Sequence, residues 1–298
     1  IVASTDETYK GVAPGAKLAA LKVCSAAGSC SDSDVLAGID WCISNAAAYN
    51  ISVISISLGG GSYTSYCDET ADFSPYADVI NNAVANGISV VAATGNSGSG
   101  AISGPACVQN ATRVTATTKS DSIASYASRH SSFSDTLAAP GSSITSLRLG
   151  GGSLTLSGTS MSTPHVSAVV ALMKQYWQVA YNKTPTPEQI EQKIAATGSL
   201  IYDASTGINY PRVDALALLQ PLLTFTTAPA NNSIINSTAV EILISSDVDL
   251  SSAIMEWNYP NGSVVNLSMV PENITSFRLN ISDLAKGIHS YRVYGVDV

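Results

Sequence analysis

Ile88-Ser-Val-Val-Ala-Ala-Thr94 decides the fold. Nearly every residue is apolar and either small or β-branched, with no alternating polar face. Such a run is expected of a strand buried on both sides, as in a parallel sheet covered by helices. Upstream, Asn86-Gly87 stops a helical pattern over 76–85. Before that stands Ile51-Ser-Val-Ile-Ser-Ile-Ser57, strand-like and ended by Gly59-Gly60-Gly61. A helical pattern over 33–47, with Asp34 near its start, precedes it, and 17–24 reads as a further strand. Strand–helix–strand–helix–strand at this spacing predicts an α/β fold with a largely parallel sheet. Downstream, strands are expected at 113–117 and near Leu137. The segments 143–149 and 153–157 flank Gly150-Gly151-Gly152 and read as a hairpin. Helices are expected at 166–177, 185–196 and 211–219.

Around 221–232 helical periodicity stops and Thr, Pro, Asn and Ser dominate. Short alternating stretches then follow at 240–244, 253–257, 263–267, 277–281 and 290–294, separated by turn residues. They predict a small all-β sandwich of immunoglobulin-like style. The expected domains are 1–222 and 229–298, the second ending right after its last strand.

Of 298 residues, 45% are hydrophobic and 12% charged, which allows a substantial core and argues against disorder. The net charge is −8 and no basic run exists, so nucleic acid and anionic membrane surfaces are excluded as partners. The longest apolar runs are too short to span a bilayer. Ile1 is not an initiator methionine, nothing near it resembles a signal peptide, and the sequence is expected to begin inside a longer product. The five cysteines lack paired CxxC spacing, so a zinc site is not expected. Bridges are expected at Cys24–Cys30, closing a small turn, and at Cys67–Cys107, with Cys42 a buried thiol. Asn-x-Ser/Thr acceptors occur at Asn50, Asn110, Asn182, Asn231, Asn236, Asn261, Asn266, Asn273 and Asn280. The last six crowd the C-terminal region and suggest an exported chain carrying N-glycans.

Chemistry concentrates in Gly158-Thr-Ser160-Met-Ser-Thr-Pro164-His165. A small-residue turn delivers Ser160 to the first turn of an apolar helix, where free N–H groups and the helix dipole favour negative charge. A tetrahedral acyl-transfer intermediate develops such a charge, which makes Ser160 a candidate nucleophile. Pro164 is expected within the first helical turn, where no N–H partner is lost. The oxyanion candidate is Asn96, just beyond the carboxyl end of the buried strand, where ligands bind in open α/β sheets. Ser57, Leu58 and Gly59 suit an extended peptide added at a strand edge. Ala93, Thr94 and Gly95 would form the opposite wall, small and uncharged, favouring a medium or large apolar residue before the scissile bond.

The eight-residue serine string resembles the nucleophile motif of the subtilisin-like serine proteases, the subtilases. The resemblance covers roughly 1–220 and is carried by further segments in the family's order: Gly11–Lys17, Ser57–Gly60, Thr94-Gly95-Asn96, Ala139-Pro140-Gly141 and Asn209–Ala215. It implies a three-layer α/β subtilisin-like fold and a serine endopeptidase acting on polypeptides, with Ser160 as nucleophile and Asn96 in the oxyanion hole. No cofactor is required for such chemistry; structural calcium often supports the family and an Asp-containing loop such as 68–72 could bind it, but such a loop is more often simply solvated and no calcium site is assigned. The sequence departs from the family in its histidines. His165 shares the helix of Ser160, His130 belongs to a loop and His289 to the β module. None is expected to act as the base, so the resemblance places the catalytic Asp and His upstream of Ile1. Localisation is expected to be extracellular or at the cell surface. The alternative reading is a non-catalytic surface module that keeps the fold for binding or adhesion.

Overall fold

The computed structural model describes residues 1–219, 223–228, 239–282, 284 and 288–297. The candidate acceptors Asn231 and Asn236 lie outside the described residues. Two compact units are present, Ile1–Trp177 with Thr184–Leu218, and Gln178–Lys183 with Leu219–Val298.

The first unit begins with α1 (Asp32–Ser44) and α2 (Ala46–Tyr49), followed by β1 (Val53–Ile56), β2 (Gly60–Tyr63), α3 (Ser74–Ala85), β3 (Ser89–Ala93), β4 (Ile102–Gly104), β5 (Thr112–Thr117) and β6 (Leu137–Pro140). Then come the hairpin β7 (Ile144–Leu147) and β8 (Ser153–Leu156), α4 (Thr159–Tyr181), α5 (Pro187–Thr197), β9 (Ser199–Asp203), β10 (Ile208–Arg212) and α6 (Ala215–Leu218). Six strands form the main sheet in the order β1-β3-β5-β6-β10-β9. Every pairing in it is parallel except β10 with β9. All five residues of β3 are buried, as its composition requires.

Helices cover both faces. Ile54 and Ile56 of β1 and Val90 and Ala92 of β3 share one core cluster with Val35 and Ile39 of α1 and Tyr76, Ala77, Ile80 and Ala83 of α3. The period-2 alternation of strands turns Ser55 to the other face, where its hydroxyl bonds Ser167 of α4 at 2.9 Å. Helix starts follow from local chemistry: Ser31 caps α1 by accepting from the Asp34 N–H at 3.3 Å. Thr186 and Gln189 form a capping box on α5. Arg113, fully buried in β5, donates to the carbonyls of Ala106, Val108 and Gln109 at 2.9–3.1 Å and pairs with Asp135. Its guanidinium thereby secures the loop carrying Cys107. The expected bridges Cys24–Cys30 and Cys67–Cys107 are both formed, and Cys42 is a buried free thiol.

Four expectations are corrected. Residues 17–23 form no strand: Leu18 is 70% exposed, and only Cys24 makes a bridge, to Cys30. Strand-like composition does not suffice without a partner ladder, and among the described residues nothing pairs with this segment. Gly59-Gly60-Gly61 does not simply end a strand, because β2 starts at Gly60 and pairs with β4. Residues 211–219 are not one helix: Pro211 and Arg212 complete β10, which pairs antiparallel with β9, and α6 covers only Ala215–Leu218. Pro164 lies in the second turn of α4, not the first, with consequences described below. Among the described residues, no helix is long and apolar enough to cross a membrane.

The second unit contains β11 (Leu223–Thr227), β12 (Val240–Ser246), β13 (Leu250–Asn258), β14 (Val264–Ser268), β15 (Val270–Asn273), β16 (Ser276–Ile281) and β17 (Ser290–Asp297). They form two antiparallel sheets, β11-β12-β16-β15 and β14-β13-β17. Ile242, Ile244 and Phe277 of the first sheet and Ala253, Met255 and Trp257 of the second are buried.

Candidate active site

Ser160 is the second residue of α4, at the helix end where N–H groups lack intrahelical partners. The backbone at Gly141, packed against the turn before Ser160, leaves no room for a side chain. A Cβ on Gly141 would lie 2.3 Å from Ser162 Oγ and 2.6 Å from Ala116 Cβ. The Gly158 N–H donates to the Gly141 carbonyl at 2.9 Å. These contacts fix the direction from which the chain enters α4.

Asn96 follows β3 and is exposed, as expected of a group facing a cleft. Gly95, at φ +103°, makes the turn that separates it from the buried Thr94. The Asn96 Oδ1 accepts from the Thr159 N–H at 2.9 Å and lies 3.2 Å from the Thr159 hydroxyl. Since a backbone N–H can only donate, the oxygen of the amide must be the atom facing Thr159. The Asn96 Nδ2, with its two donors, is therefore turned the other way. A Cβ on Gly158 would sit 3.4 Å from that nitrogen and 3.7 Å from the Ser160 backbone nitrogen. Asn96 is thus bonded to Thr159, the residue directly before Ser160, and both Asn96 and the Ser160 nitrogen border Gly158.

The Ser160 Oγ donates to the Ser57 carbonyl at 3.1 Å, and the Ser57 Oγ donates to the Ser160 carbonyl at 3.0 Å. Ser167 bonds Ser55, and Lys174 donates to the Ser52 carbonyl at 2.7 Å. The helix positions 160, 167 and 174 recur every seven residues, two helical turns apart, so a single polar stripe of α4 is fastened along β1 and the residues flanking it, Ser52 and Ser57. The alternating serines of 51–57 were the available sequence signal for this stripe.

Among the described residues, no imidazole is hydrogen-bonded to Ser160. The His165 Nδ1 lies 2.8 Å from the Met161 carbonyl of its own helix, and burial pushes its pKa down. The His130 Nδ1 accepts from the Ser132 N–H at 3.2 Å. In the second unit, His289 accepts from the Trp257 indole at 3.1 Å.

A cavity of about 240 Å³ opens between β2, β4 and the 97–103 segment. Its lining includes Gly61, Ser62, Ser97, Ala101, Ile102 and Ser128, with no charged residue among the lining groups. Sequence reasoning stopped just short of it: Ser57, Leu58 and Gly59 immediately precede one wall, and Ala93, Thr94 and Gly95 the other. Leu58 packs on the hydrophobic core, while Ala93 and Thr94 are buried. Gly59 is indispensable to the approach of the walls, since a Cβ there would lie 2.4 Å from the Gly104 carbonyl oxygen. The cavity floor is tied down from behind. The Ser97 N–H donates to Ser128 Oγ, the Ser128 N–H to the Gly95 carbonyl and the Gly100 N–H to the Arg129 carbonyl, at 2.9–3.0 Å. The Arg129 side chain is in turn locked to Asp203 through Nε and Nη2 at 2.9 and 3.1 Å. In the loop 68–72 both Asp68 carboxylate oxygens accept from the Gln109 N–H, at 3.3 and 3.0 Å, and among the described residues no group of three or more His, Cys, Asp or Glu converges.

A profile of the subtilase family matches residues 1–216. Over 165 residues the chain is 40% identical to the M-protease of Shouchella clausii (strain KSM-K16), covering 55% of this chain and 40% of that protein. It is 39% identical over 165 residues to Subtilisin Savinase of Lederbergia lenta, covering 55% and 56% respectively. The chain spans about half the length of the curated relatives it matches. Among solved structures, a cold adapted subtilisin-like serine proteinase aligns with a TM-score of 0.57 at 34% identity, over 68% of this chain and 70% of that one. The Patellamide maturation protease PatA aligns with a TM-score of 0.64 at 23% identity, over 74% and 79%, a likeness of fold alone.

Proposed function

Because the chain belongs to the subtilase family, we propose that it is the nucleophile-bearing part of a serine endopeptidase. Ser160 Oγ attacks the scissile carbonyl, and its proton passes to a histidine held by an aspartate, a pair that does not stand at Ser160 among the described residues. The oxyanion is met by the Ser160 N–H and the Asn96 Nδ2. The histidine returns the proton to the leaving amine, and water then releases the acyl group from Ser160. One observation carries this reading: the Asn96 amide oxygen is occupied by the N–H of Thr159, the neighbour of Ser160, which leaves the Nδ2 donors free for an oxyanion beside it.

Substrates are polypeptides bound in extended form along Ser57–Gly59, with the residue before the scissile bond in the cavity beside Ser97–Ser103. An uncharged lining favours an uncharged, apolar residue there. The two antiparallel sheets of the second unit are read as the immunoglobulin-like module, and the exposed Asn261, Asn266, Asn273 and Asn280 as acceptors of N-glycans on a secreted or surface-held protein.

Treating the full-length protein with a serine-directed fluorophosphonate tests the proposal. Adduct mass on the Ser160 peptide, lost in Ser160→Ala, is expected. Absence of the adduct, or equal labelling of the alanine variant, would overturn it and leave a binding module.

A further inference from the structure

Pro164 removes one rung from the hydrogen-bond ladder of α4. In a regular helix the N–H of residue 164 donates to the carbonyl of residue 160, and proline has no N–H to give. The carbonyl left over belongs to Ser160. It does not go unsatisfied, because the hydroxyl of Ser57, the residue that follows β1, donates to it at 3.0 Å. In return the Ser160 hydroxyl donates to the Ser57 carbonyl at 3.1 Å. Two further polar links, from Ser167 to Ser55 of β1 and from Lys174 to the Ser52 carbonyl just before it, lie two and four turns further along the helix. They place the helix as a body. The Ser57 hydroxyl instead holds the backbone of residue 160 itself.

We infer that the Ser57 side chain is a positioning residue for Ser160, standing in for the donor that Pro164 lacks. The inference rests on the assignment of Ser160 as nucleophile. An oxyanion site works through donors already held where charge will develop. The Ser160 N–H is one such donor and its Oγ is the attacking atom. Both turn with the backbone torsions that the Ser57–Ser160 contact restrains. Ser57 therefore acts before any substrate arrives, by narrowing the orientations available to the nucleophile. Its carbonyl also parks the Ser160 hydroxyl until a general base replaces that contact.

The sharp consequence is an exchange between two distant positions. Replacing Pro164 by alanine restores a backbone N–H at 164 and makes the Ser57 hydroxyl redundant. Four versions of the full-length protein are compared: wild type, Ser57→Ala, Pro164→Ala and the double variant. The readouts are the fluorophosphonate labelling rate at Ser160 and kcat and KM on a peptide substrate. Ser57→Ala is expected to slow labelling and kcat on the order of tenfold, with KM changed less than about twofold. In the Pro164→Ala background, the same Ser57→Ala change should cost less than about twofold, a non-additivity expected of groups sharing one acceptor. Ser57→Thr keeps the hydroxyl and should label within about threefold of wild type. Should Ser57→Ala alone fail to fold, recovery of folding and labelling in the double variant carries the same conclusion. Equal losses with and without the Pro164→Ala change, or no loss in Ser57→Ala, would overturn the inference while leaving the nucleophile in place. A wild type that never labels removes the nucleophile assignment and this inference with it.

Discussion

Replacing Asp203 with asparagine isolates one contact behind the substrate cavity. Asp203 is 9% exposed and meets Arg129 through two hydrogen bonds, and it also accepts from Ser205 and Thr206. Burial alone pushes the carboxyl up; the hydrogen bonds from Arg129, Ser205 and Thr206, with the charge of Arg129, outweigh it and bring the pKa from 3.8 to about 2. A depressed folded-state pKa adds stability that is fully present above the unfolded value and disappears as pH falls through the folded one. At about 1.36 kcal/mol per pH unit, the contribution is about 2.4 kcal/mol at neutral pH, and about half of that remains at pH 3. Asp203→Asn also leaves the Arg129 charge buried with a neutral partner, so the loss should reach about 3 kcal/mol. Urea unfolding of wild type and variant at pH 7, 4 and 3 measures it. The gap should be widest at pH 7 and 4 and close markedly by pH 3. A variant as stable as wild type at pH 7, or a gap unchanged down to pH 3, refutes the reasoning. Because the Arg129 carbonyl holds the Gly100 N–H, weaker binding of peptides with a large residue before the scissile bond should accompany the loss.

Glu191 works in the opposite direction. Burial raises its pKa to about 7 against the pull of Arg113 and the bond from Thr112, and Asp135 and Glu188 raise it further. A raised carboxyl contributes stability below its unfolded value near 4.5 that is lost as pH climbs through 7, so Glu191→Gln should raise the unfolding temperature at pH 8.5, by up to about 3 kcal/mol of stability, and change little at pH 4. Thermal scans at the two pH values check the sign. Asn96→Ala in the full-length protein should lower kcat by about 10²–10³-fold with KM nearly constant, a magnitude taken from a member of this same family and read by steady-state kinetics. Cys67→Ser opens a bridge spanning 40 residues and should cost about 4 kcal/mol, against about 2 for Cys24→Ser with its span of six; chemical denaturation ranks the two.

Legibility in the sequence followed the physics of each element. The strand β3 was legible because a run with no polar face has only one kind of home. The repeated serines of 51–57 were visible too, but their destination was not, since which helix faces them is settled by tertiary packing. Residues 17–23 misled because composition reports what a segment can pair as, not whether a partner is present. The β9–β10 hairpin was hidden by Pro211, which suits the first position of a helix and equally a strand that meets its other neighbour, β6, only at Arg212. The buried arginines, Arg113 and Arg129, gave no signal at all, because a charge is placed inside only by carbonyls and carboxylates drawn from remote segments.

At the site, the same distinction separates what was readable from what was not. Ser160 and Asn96 each sit at the end of an element whose type could be inferred, and element ends are where backbone donors and cleft-facing side chains accumulate. The cavity walls belong to 97–103, a glycine- and serine-rich stretch without periodicity, shaped by bonds to Ser128 and Arg129 that sequence order does not reveal. Pro164 shows the point most sharply. Placed in the first helical turn, it is a harmless helix starter; moved one turn deeper, as observed, it strips the Ser160 carbonyl of its helical donor and leaves it to the hydroxyl of Ser57. A boundary shift of a few residues thus separates a neutral proline from one that couples the segment after β1 to the nucleophile.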